Sequence, residues 1–335
     1  MMKRVALTVF ALFLIFSGIL AAYTAFVPYK KAAGRQVFIP KGSSSTKIAE
    51  ILEKASIIRS KLAFLVYVIA TGKKGKLQWG EYAFLEPVGL HEVVTKLYRG
   101  EVKTYLLTLK EGETLYDLAS SLEALGFFPA QKTCDQLRDK AFIRSLHGMI
   151  PSELDSLEGF LYPETYRIER RQGLAQIVRP MVQEFFKQVD ATLLAKAGLR
   201  GLNLKNLVTL GSIIERETPH PEEMPLIASV FHNRLRLGMP LQADPTAVYD
   251  LSPRYKGPVL PEHLKRPSPY NTYRMVGLPK GPICNPSKAA LHAAANPANT
   301  HYLYFVAKKD GHHSFAKSYA EHLAHIRTLR KASIP

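Results

Sequence analysis

Two carboxylates stand two positions apart in the segment GSIIERETPH, residues 211–220, at the end of an apolar run. On a helix of 3.6 residues per turn, Glu215 continues the line that passes through Val208 and Gly211. An apolar setting disfavours an ionised carboxylate, so the group stays protonated near neutral pH, as a general acid requires. We therefore expect Glu215 to act as a catalytic acid, with Gly211 leaving room for a ligand.

A structural role remains open for both carboxylates of this segment. The alternative for Glu215 is a solvated side chain on the last helical turn, paired with Arg216 or Arg234. Glu217 points to another side of the helix, so we interpret it as a surface or packing-edge charge and as the weaker catalytic candidate.

Other polar residues that suit sugar binding lie elsewhere in the chain. Glu158 could orient a sugar or stabilise developing positive charge, and the alternative is a carboxylate that caps a turn. Gln242 and Asp244 precede Pro245 on a rigid loop, so their amide and carboxylate are expected to bond acetamido and hydroxyl groups. Loop capping is the alternative for Asp244.

A second polar cluster occupies the proline-bounded loop around residues 268–273. Tyrosine offers a flat apolar face for a sugar ring together with a polar tip, and asparagine suits an N-acetyl group. The candidate substrate-binding residues of this loop are Tyr270, Asn271, Thr272 and Tyr273.

Composition indicates a globular body with an anionic partner. The 335 residues carry a net charge of +17, which fits a phospholipid surface or an acidic polymer. We expect no nucleic-acid partner, because no basic run alternates with aromatic residues. The two cysteines lack metal-ligand spacing. Of the histidines His312, His313, His322 and His325, two at i, i+3 on a helix could bind a metal, but no HExxH motif or matching cysteine pattern supports such a site. We therefore expect neither a metal nor another cofactor.

The amino-terminal segment from Val5 to Val27 carries no formal charge. A helix of that length crosses a bilayer core of about 30 Å, which favours a single uncleaved membrane anchor. A cleaved signal peptide is the alternative, although its apolar core is usually shorter. The remaining residues would then form one body on one side of the membrane.

Two strand–turn–helix units are predicted after a short basic linker. VFIP leads into KGSSSTKIAEILEKASII, and LLTLKEGETLYDLASSLEALGF repeats that plan, with Gly42 matching Gly112 and Ser44 matching Thr114. Glycine permits the turn and the hydroxyl residue caps the helix. The segment GETLYDLA, residues 112–119, also resembles the LysM module, which implies binding to N-acetylglucosamine chains.

These segments predict an α+β protein with an N-terminal transmembrane helix, small LysM-like α+β units and a mixed α+β catalytic domain. The predicted division is a cytoplasmic tip and anchor at 1–28, a linker at 29–35, a first α+β unit at 36–103, a LysM-like unit at 104–150 and a catalytic domain at 151–335.

Five ordered motifs resemble the family of endolytic murein transglycosylases, the MltG or YceG-like family. They are LEGFLYPETY, SIIERE, VFHNRLRLGMPLQADPTAVYDL, SPYNTYRMVGLPKGPICNP and YLYFVA with GHHSF and EH, and they follow a single N-terminal apolar segment. Ala243 departs from the family, which usually has Ser or Thr there. The resemblance implies cleavage of the β-1,4 bond between N-acetylmuramic acid and N-acetylglucosamine, with a 1,6-anhydro product and Glu215 as general acid and base.

The resemblance also implies a place and partners. We expect a lyase anchored in the inner membrane, with its body in the periplasm or extracytoplasmic space, acting on nascent peptidoglycan strands beside cell-wall synthases. Two other functions remain open: a non-catalytic peptidoglycan-binding scaffold, and a muramidase-type hydrolase that uses water and two carboxylates.

Overall fold

The computed structural model describes residues 2–146, 150–151, 154–251, 255 and 257–331. The chain falls into two compact units, the first formed by Met1–Leu106 with Arg167–Gln172 and the second by Leu107–Tyr166 with Gly173–Pro335. Helices and short antiparallel strands occur in both, which confirms the predicted mixed α+β class. The five-segment division stays a prediction.

The first unit packs helices on a two-stranded sheet. Strand β1 pairs antiparallel with β2, and Val37, Ile39, Tyr82 and Phe84 supply sheet residues to its core. The elements are α1 (Met2–Phe26), a 3-10 turn (Lys30–Ala32), β1 (Arg35–Ile39), α2 (Ser45–Lys54), α3 (Lys61–Ala70), β2 (Gly80–Phe84) and α4 (Leu90–Arg99).

Helix α1 covers nearly all of the predicted membrane span. Large apolar side chains along it are exposed, among them Leu7, Phe10, Phe16 and Ile19. Within the part of the chain that the structure describes, no helix combines the length and the apolar character needed to cross a membrane.

Caps and turns predicted from sequence form the ends of several elements. The Ser44 hydroxyl accepts a hydrogen bond from the Lys47 amide at 3.2 Å at the start of α2. Thr114 caps α5 (Leu115–Ala124) in the same way, and the Asp117 carboxylate accepts a hydrogen bond from the Thr114 amide in return. The strand–turn–helix plan of both segments is therefore confirmed, while the LysM-like character of the second stays a prediction.

The second unit is mainly helical. Strands β3 (Thr104–Thr108) and β4 (Thr165–Glu169) form a two-stranded sheet. The strands at Tyr304–Ala307 and His313–Ala316 pair antiparallel as a hairpin around Asp310-Gly311, a dipeptide that favours a turn. The other elements are α5 (Leu115–Ala124), α6 (Ala130–Leu137), α7 (Lys140–Leu146), α8 (Leu174–Gln188), α9 (Ala191–Gly198), α10 (Leu204–Glu217), α11 (Met224–Arg236), α12 (Asp244–Val248), α13 (Pro261–Lys265), α14 (Lys288–Ala295), β5 (Tyr304–Ala307), β6 (His313–Ala316) and α15 (Tyr319–Lys331).

Helix α10 is the central element of the second unit. It packs against α9, α11, α12 and α14, and every residue from 207 to 214 is buried. The polar residues Thr209 and Ser212 lie in this buried stretch. The Ser212 hydroxyl donates to the Thr209 carbonyl at 2.8 Å and accepts the Ile283 amide at 3.0 Å, so its polar atom is satisfied internally.

The expectation that Gly211 leaves room for a ligand is wrong. A Cβ atom at Gly211 would lie 3.1 Å from Cδ2 of Leu291 on α14. The missing side chain therefore lets two helices approach closely, and α14 occupies the space.

A second glycine contact gives a prediction about stability. Gly159 has a φ of +84°, and an added Cβ would meet Pro282 Cβ at 2.6 Å and Val208 Cγ1 at 2.7 Å. Gly159→Ala should lower the free energy of unfolding by about 2–4 kcal/mol, because backbone strain adds to overpacking. Chemical denaturation measures the loss.

Gly201→Ala is the matched control for this prediction. Gly201 has a φ of +73° with no atom within 4 Å of the added Cβ. It should lose only about 1 kcal/mol from backbone strain. Equal losses in the two variants would contradict the packing explanation.

Candidate active site

Glu215 is half-buried and binds the start of helix α14. Its Oε2 accepts a hydrogen bond of 2.9 Å from the backbone amide of Ser287, the N-cap of that helix. A negative side chain at a helix N-terminus is favourable, because the free amides and the helix dipole are positive there. This contact gives Glu215 a structural partner, and Glu215 stays a predicted catalytic residue.

Of the two predicted placements of Glu217, the structure supports the packing edge rather than the surface, because the residue is half-buried. Its Oε1 is shielded from solvent and has no hydrogen-bond partner among the described residues. Leu210, Ile213 and Ile214, one and two turns earlier, are fully buried, so the stripe that ends at Glu217 faces the interior. Apolar residues seven, four and three positions before Glu217 are the sequence signal that would have indicated that Glu217 faces the interior.

The pKa of the Glu217 carboxyl group is raised by its surroundings. Burial, and next the nearby Asp244, raise the pKa of Glu217 from its ordinary 4.5 to about 8, against the opposing charges of Arg234 and Arg216. The carboxyl group is therefore protonated near neutral pH, the form in which it can donate a proton.

Glu217 lines a cavity of about 380 Å³ at the end of α10. That volume falls within the usual range of ligand sites. Three predicted binding residues, Gln242, Asp244 and Tyr273, share this cavity with Glu217. The remaining lining residues are Arg234, Leu241, Tyr304, Phe305, Val306, Ala307, His313, Tyr319 and His322.

Asp244 contributes to two neighbouring cavities. The Tyr273 hydroxyl donates to its Oδ1 at 2.5 Å within the cavity of Glu217. Asp244 also lines a second cavity, of about 500 Å³, together with residues of the LysM-like segment. Those residues are Gly112, Glu113, Thr114, Tyr116 and Asp117.

Asn271 and Thr272 hold the loop and are not free to bind sugar. Both are fully buried. The Asn271 amide donates to the carbonyls of His263, Leu264 and Arg266, while the Thr272 hydroxyl accepts the Ala243 amide and bonds the Thr246 hydroxyl. These contacts fix the loop that presents Gln242 and Asp244.

Tyr270 packs inside the loop region. Its ring lies 4.7 Å from that of Tyr249, centroid to centroid, and burial raises its pKa to about 12. The Tyr249 hydroxyl in turn donates to Oε2 of Glu158 at 2.7 Å. Tyr270 is thus tied to a buried network, and it lines neither of the two cavities described above.

Glu158 is buried and its carboxylate is occupied by protein donors. The Leu115 amide at the start of α5 lies 3.1 Å from Oε1 and 3.2 Å from Oε2. Burial raises the pKa of Glu158 to about 7, against the lowering effects of the Tyr249 hydroxyl and Arg138. Of its two proposed roles, the contacts favour the capping carboxylate.

One group of described residues has the donor set of a metal site. Ligand atoms of His220, Glu222 and His312 lie within 4.8 Å of one another. The imidazole rings of His220 and His312, however, stack in parallel with centroids 3.9 Å apart and planes 15° apart. Since each nitrogen lone pair lies in its ring plane, two stacked rings do not aim at a single ion.

Three comparisons identify related proteins. A sequence model of the YceG-like family matches residues 37–328. A protein of Bacillus subtilis named endolytic murein transglycosylase is 34% identical over 296 residues, covering 85% of this chain and 81% of that protein. A protein of the same name from Streptococcus pneumoniae is 30% identical and covers 81% of this chain, but only 54% of its own length is matched.

A solved structure supports the same relationship. The 2.6 Å crystal structure of a protein from Listeria monocytogenes, described as yceG-like, matches with a TM-score of 0.59 and 31% identity. The match covers 86% of this chain and 98% of that chain. The similarity therefore extends over most of the chain and includes the elements that form the cavity of Glu217.

The raised pKa of Glu217 predicts a pH-dependent difference in stability. The folded protein holds the proton more tightly than the unfolded chain, so stability from Glu217 is present below pH 4.5 and lost as the pH rises to about 8. Glu217→Gln has no proton to lose. Its free energy of unfolding should therefore rise relative to wild type across this range, as measured by urea denaturation. A difference that does not change with pH would contradict the prediction.

Proposed function

Because this chain belongs to the YceG-like family, we propose that it cleaves peptidoglycan strands as an endolytic murein transglycosylase. The relatives of that name supply the reaction class. The observation that carries the proposal here is the half-buried carboxyl group of Glu217, whose Oε1 is shielded and unpaired among the described residues, in a cavity with polar groups around it. A protonated carboxyl in such a site suits donation to a glycosidic oxygen.

The proposed reaction uses the substrate's own hydroxyl as the nucleophile. Glu217 protonates the oxygen that leaves from C1 of N-acetylmuramic acid, and the muramyl 6-hydroxyl attacks C1 to form a 1,6-anhydro end. No external water and no nucleophilic carboxylate are needed. A base within the same cavity must accept the proton of the 6-hydroxyl.

Glu215 is the alternative acid, in line with the sequence analysis. Its carboxylate already accepts the Ser287 amide and holds the start of α14. Glu217 has no such partner among the described residues, and its pKa is raised to about 8. These two differences favour Glu217 as the acid and Glu215 as a structural residue.

The two cavities that share Asp244 suit a polymer rather than a single sugar. We assign Gln242, Asp244 and Tyr273 to hydrogen bonds with sugar hydroxyl and acetamido groups near the scissile bond. The LysM-like segment lines the neighbouring cavity and would bind the strand further along. Asn271 and Thr272 act by fixing the loop.

A hydrolase with two carboxylates is the second candidate function. Two observations favour it. Asp244 and Glu217 line the same cavity, and the charge of Asp244 helps to raise the pKa of Glu217. Such an enzyme would use Asp244 to activate water or to stabilise the sugar cation. In a non-catalytic scaffold, the unpaired Oε1 atom of Glu217 would have no functional role.

The location of the body outside the cytoplasmic membrane is also part of the proposal. Exposed apolar side chains along α1 and the net charge of +17 support an association with an anionic membrane. Cell-wall synthases, which supply nascent strands, are the candidate partners at this location.

Matched glutamine variants test the assignment of the acid. Glu217→Gln should lower the rate of murein digestion by at least about 100-fold, because a glutamine donates no proton. Glu215→Gln keeps an oxygen for the Ser287 amide and should stay within about ten-fold of wild type, since it loses only a structural charge. The reverse pattern would restore Glu215 as the catalytic residue.

Mass spectrometry of the digestion products tests the reaction class. The wild-type protein should release fragments with 1,6-anhydro ends, which are one water lighter than hydrolysis products. Reducing ends would instead indicate the two-carboxylate hydrolase. Binding to murein without any products would indicate the scaffold.

Protease treatment of spheroplasts tests the location. The body should be digested without lysis and should remain with the membrane fraction after a high-salt wash. The mass of the mature N-terminus separates an uncleaved anchor from a signal peptide. Protection from protease until lysis would contradict the proposed location.

A further inference from the structure

Helix α3 of the first unit exposes a stripe of large aliphatic side chains. Leu62, Val66 and Ile69 are 68%, 60% and 58% exposed, and their spacings of four and three residues place them on one side of the helix. Phe64 and Val68, on the other side, are fully buried in the core. A helix that is apolar on both sides is normally covered on both, so the stripe indicates an apolar surface that contacts it.

The segment around α3 carries only positive formal charges. Between Glu53 and Glu81 the sequence has no Asp or Glu and six Lys or Arg residues. They are Lys54, Arg59, Lys61, Lys73, Lys74 and Lys76. Lys61 begins α3 and three lysines follow its end at Ala70, so basic residues lie at both ends of the apolar stripe. Apolar side chains beside basic residues are typical of a helix that lies in the surface of an anionic membrane.

Contacts place the start of α3 beside the C-terminal end of α1. The guanidinium of Arg59, just before the N-cap of α3, donates to the carbonyls of Val27 at 2.9 Å and Pro28 at 3.0 Å. The same group lies over the rings of Tyr23 and Tyr29, with each centroid 5.1 Å away. Tyrosine is enriched where a bilayer meets water, so this cluster suits the membrane surface.

Helix α3 stays close to the end of α1 beyond its first turn. The Tyr67 hydroxyl bonds Nδ1 of His91 on α4 at 2.7 Å, and the His91 ring stacks on Phe26 of α1 with centroids 5.6 Å apart. Ser60 and Tyr67 are separated by about 10 Å of helix, yet both ends of this stretch connect to the last turn of α1. The first two turns of α3 therefore run beside the end of α1.

We propose that α3 is a second membrane contact, in which Leu62, Val66 and Ile69 enter the headgroup region of an anionic bilayer beside the end of α1. This inference rests on the proposed location, in which the exposed apolar side chains of α1 lie in lipid. The flanking lysines would face the lipid phosphates. A protein partner fits less well, because three side chains supply far less surface than the ~800 Å² per partner that a stable interface buries.

Depth-dependent quenching in the full-length protein tests this inference. The chain has one tryptophan, so Trp79→Phe removes the native signal and Val66→Trp adds a new one to the stripe. The variant is reconstituted in phosphatidylglycerol vesicles that contain lipids brominated near the headgroup end of the acyl chains. The new tryptophan should lose at least about half of its fluorescence, because an interfacial helix inserts its apolar face by about 5–10 Å.

Phe38→Trp in the same Trp79→Phe background is the matched control. Phe38 is exposed on β1 between Val37 and Ile39, which join α3 in the core, so it lies on the side of the sheet away from α3. The brominated lipids should not quench a tryptophan there. If Val66→Trp loses its cooperative unfolding transition, Leu62→Trp replaces it under the same criteria.

Three results would overturn the inference. Equal quenching at the two positions would show that the stripe makes no specific lipid contact. Emission typical of water without quenching at Val66→Trp would leave the stripe in solvent. Blue-shifted emission without quenching would show that a second copy or another protein covers it.

Flotation of the wild-type protein with the vesicles separates this inference from the proposed location. Protein that floats while the tryptophan of Val66→Trp is not quenched keeps the proposed location and removes the α3 contact. Protein that does not float removes both.

Discussion

The guanidinium group of Arg234 ties three parts of the second unit together around Glu217. It donates to the carbonyl of Leu303 at 2.7 Å, to that of Leu241 at 2.8 Å and to Oε1 of Gln242 at 3.4 Å. Helix α11, the turn before α12 and the segment before β5 are thereby held at fixed positions. Since Arg234 is buried, these bonds have little competition from water.

The charge of Arg234 would be expected to favour an ionised Glu217, yet burial decides the outcome. Arg234 is largely satisfied by carbonyl oxygens, and it makes no ion pair with a described carboxylate within 4.0 Å. Removing a carboxylate from water is expensive, and Asp244 adds a like charge nearby. The site thus keeps a neutral Glu217 carboxyl group near the positive charge of Arg234. Backbone carbonyl oxygens accept the hydrogen bonds of that guanidinium group.

Local features of this fold could be predicted from the sequence, because they depend on residues that are neighbours in the chain. The hydroxyl caps at Ser44 and Thr114 follow from short-range geometry and were predicted correctly. The hairpin at Asp310-Gly311 depends on short-range geometry in the same way. Membership of the family could likewise be predicted from the sequence, because the family's motifs occur in a fixed order along the chain. The LysM-like character is a resemblance of a few residues, and helix caps alone do not distinguish it.

The candidate site was harder to predict from the sequence, because tertiary packing decides which face of α10 lines the cavity. A helix buried over residues 207–214 has no single apolar stripe, so the alignment of Glu215 with Val208 did not separate it from Glu217. Leu291 fills the space beside Gly211, and three carbonyls occupy the Asn271 amide. Each of these contacts joins residues distant in sequence.

One wall of the Glu217 cavity comes from the last elements of the chain, β5, β6 and α15. Helices α10 and α11 alone do not close the cavity, because Tyr304–Ala307, His313, Tyr319 and His322 complete its lining. Enclosure of the Glu217 carboxyl group therefore depends on packing between elements that lie far apart in the sequence, such as β5 against α11. A partly made chain would carry the acid without the enclosure that keeps it protonated.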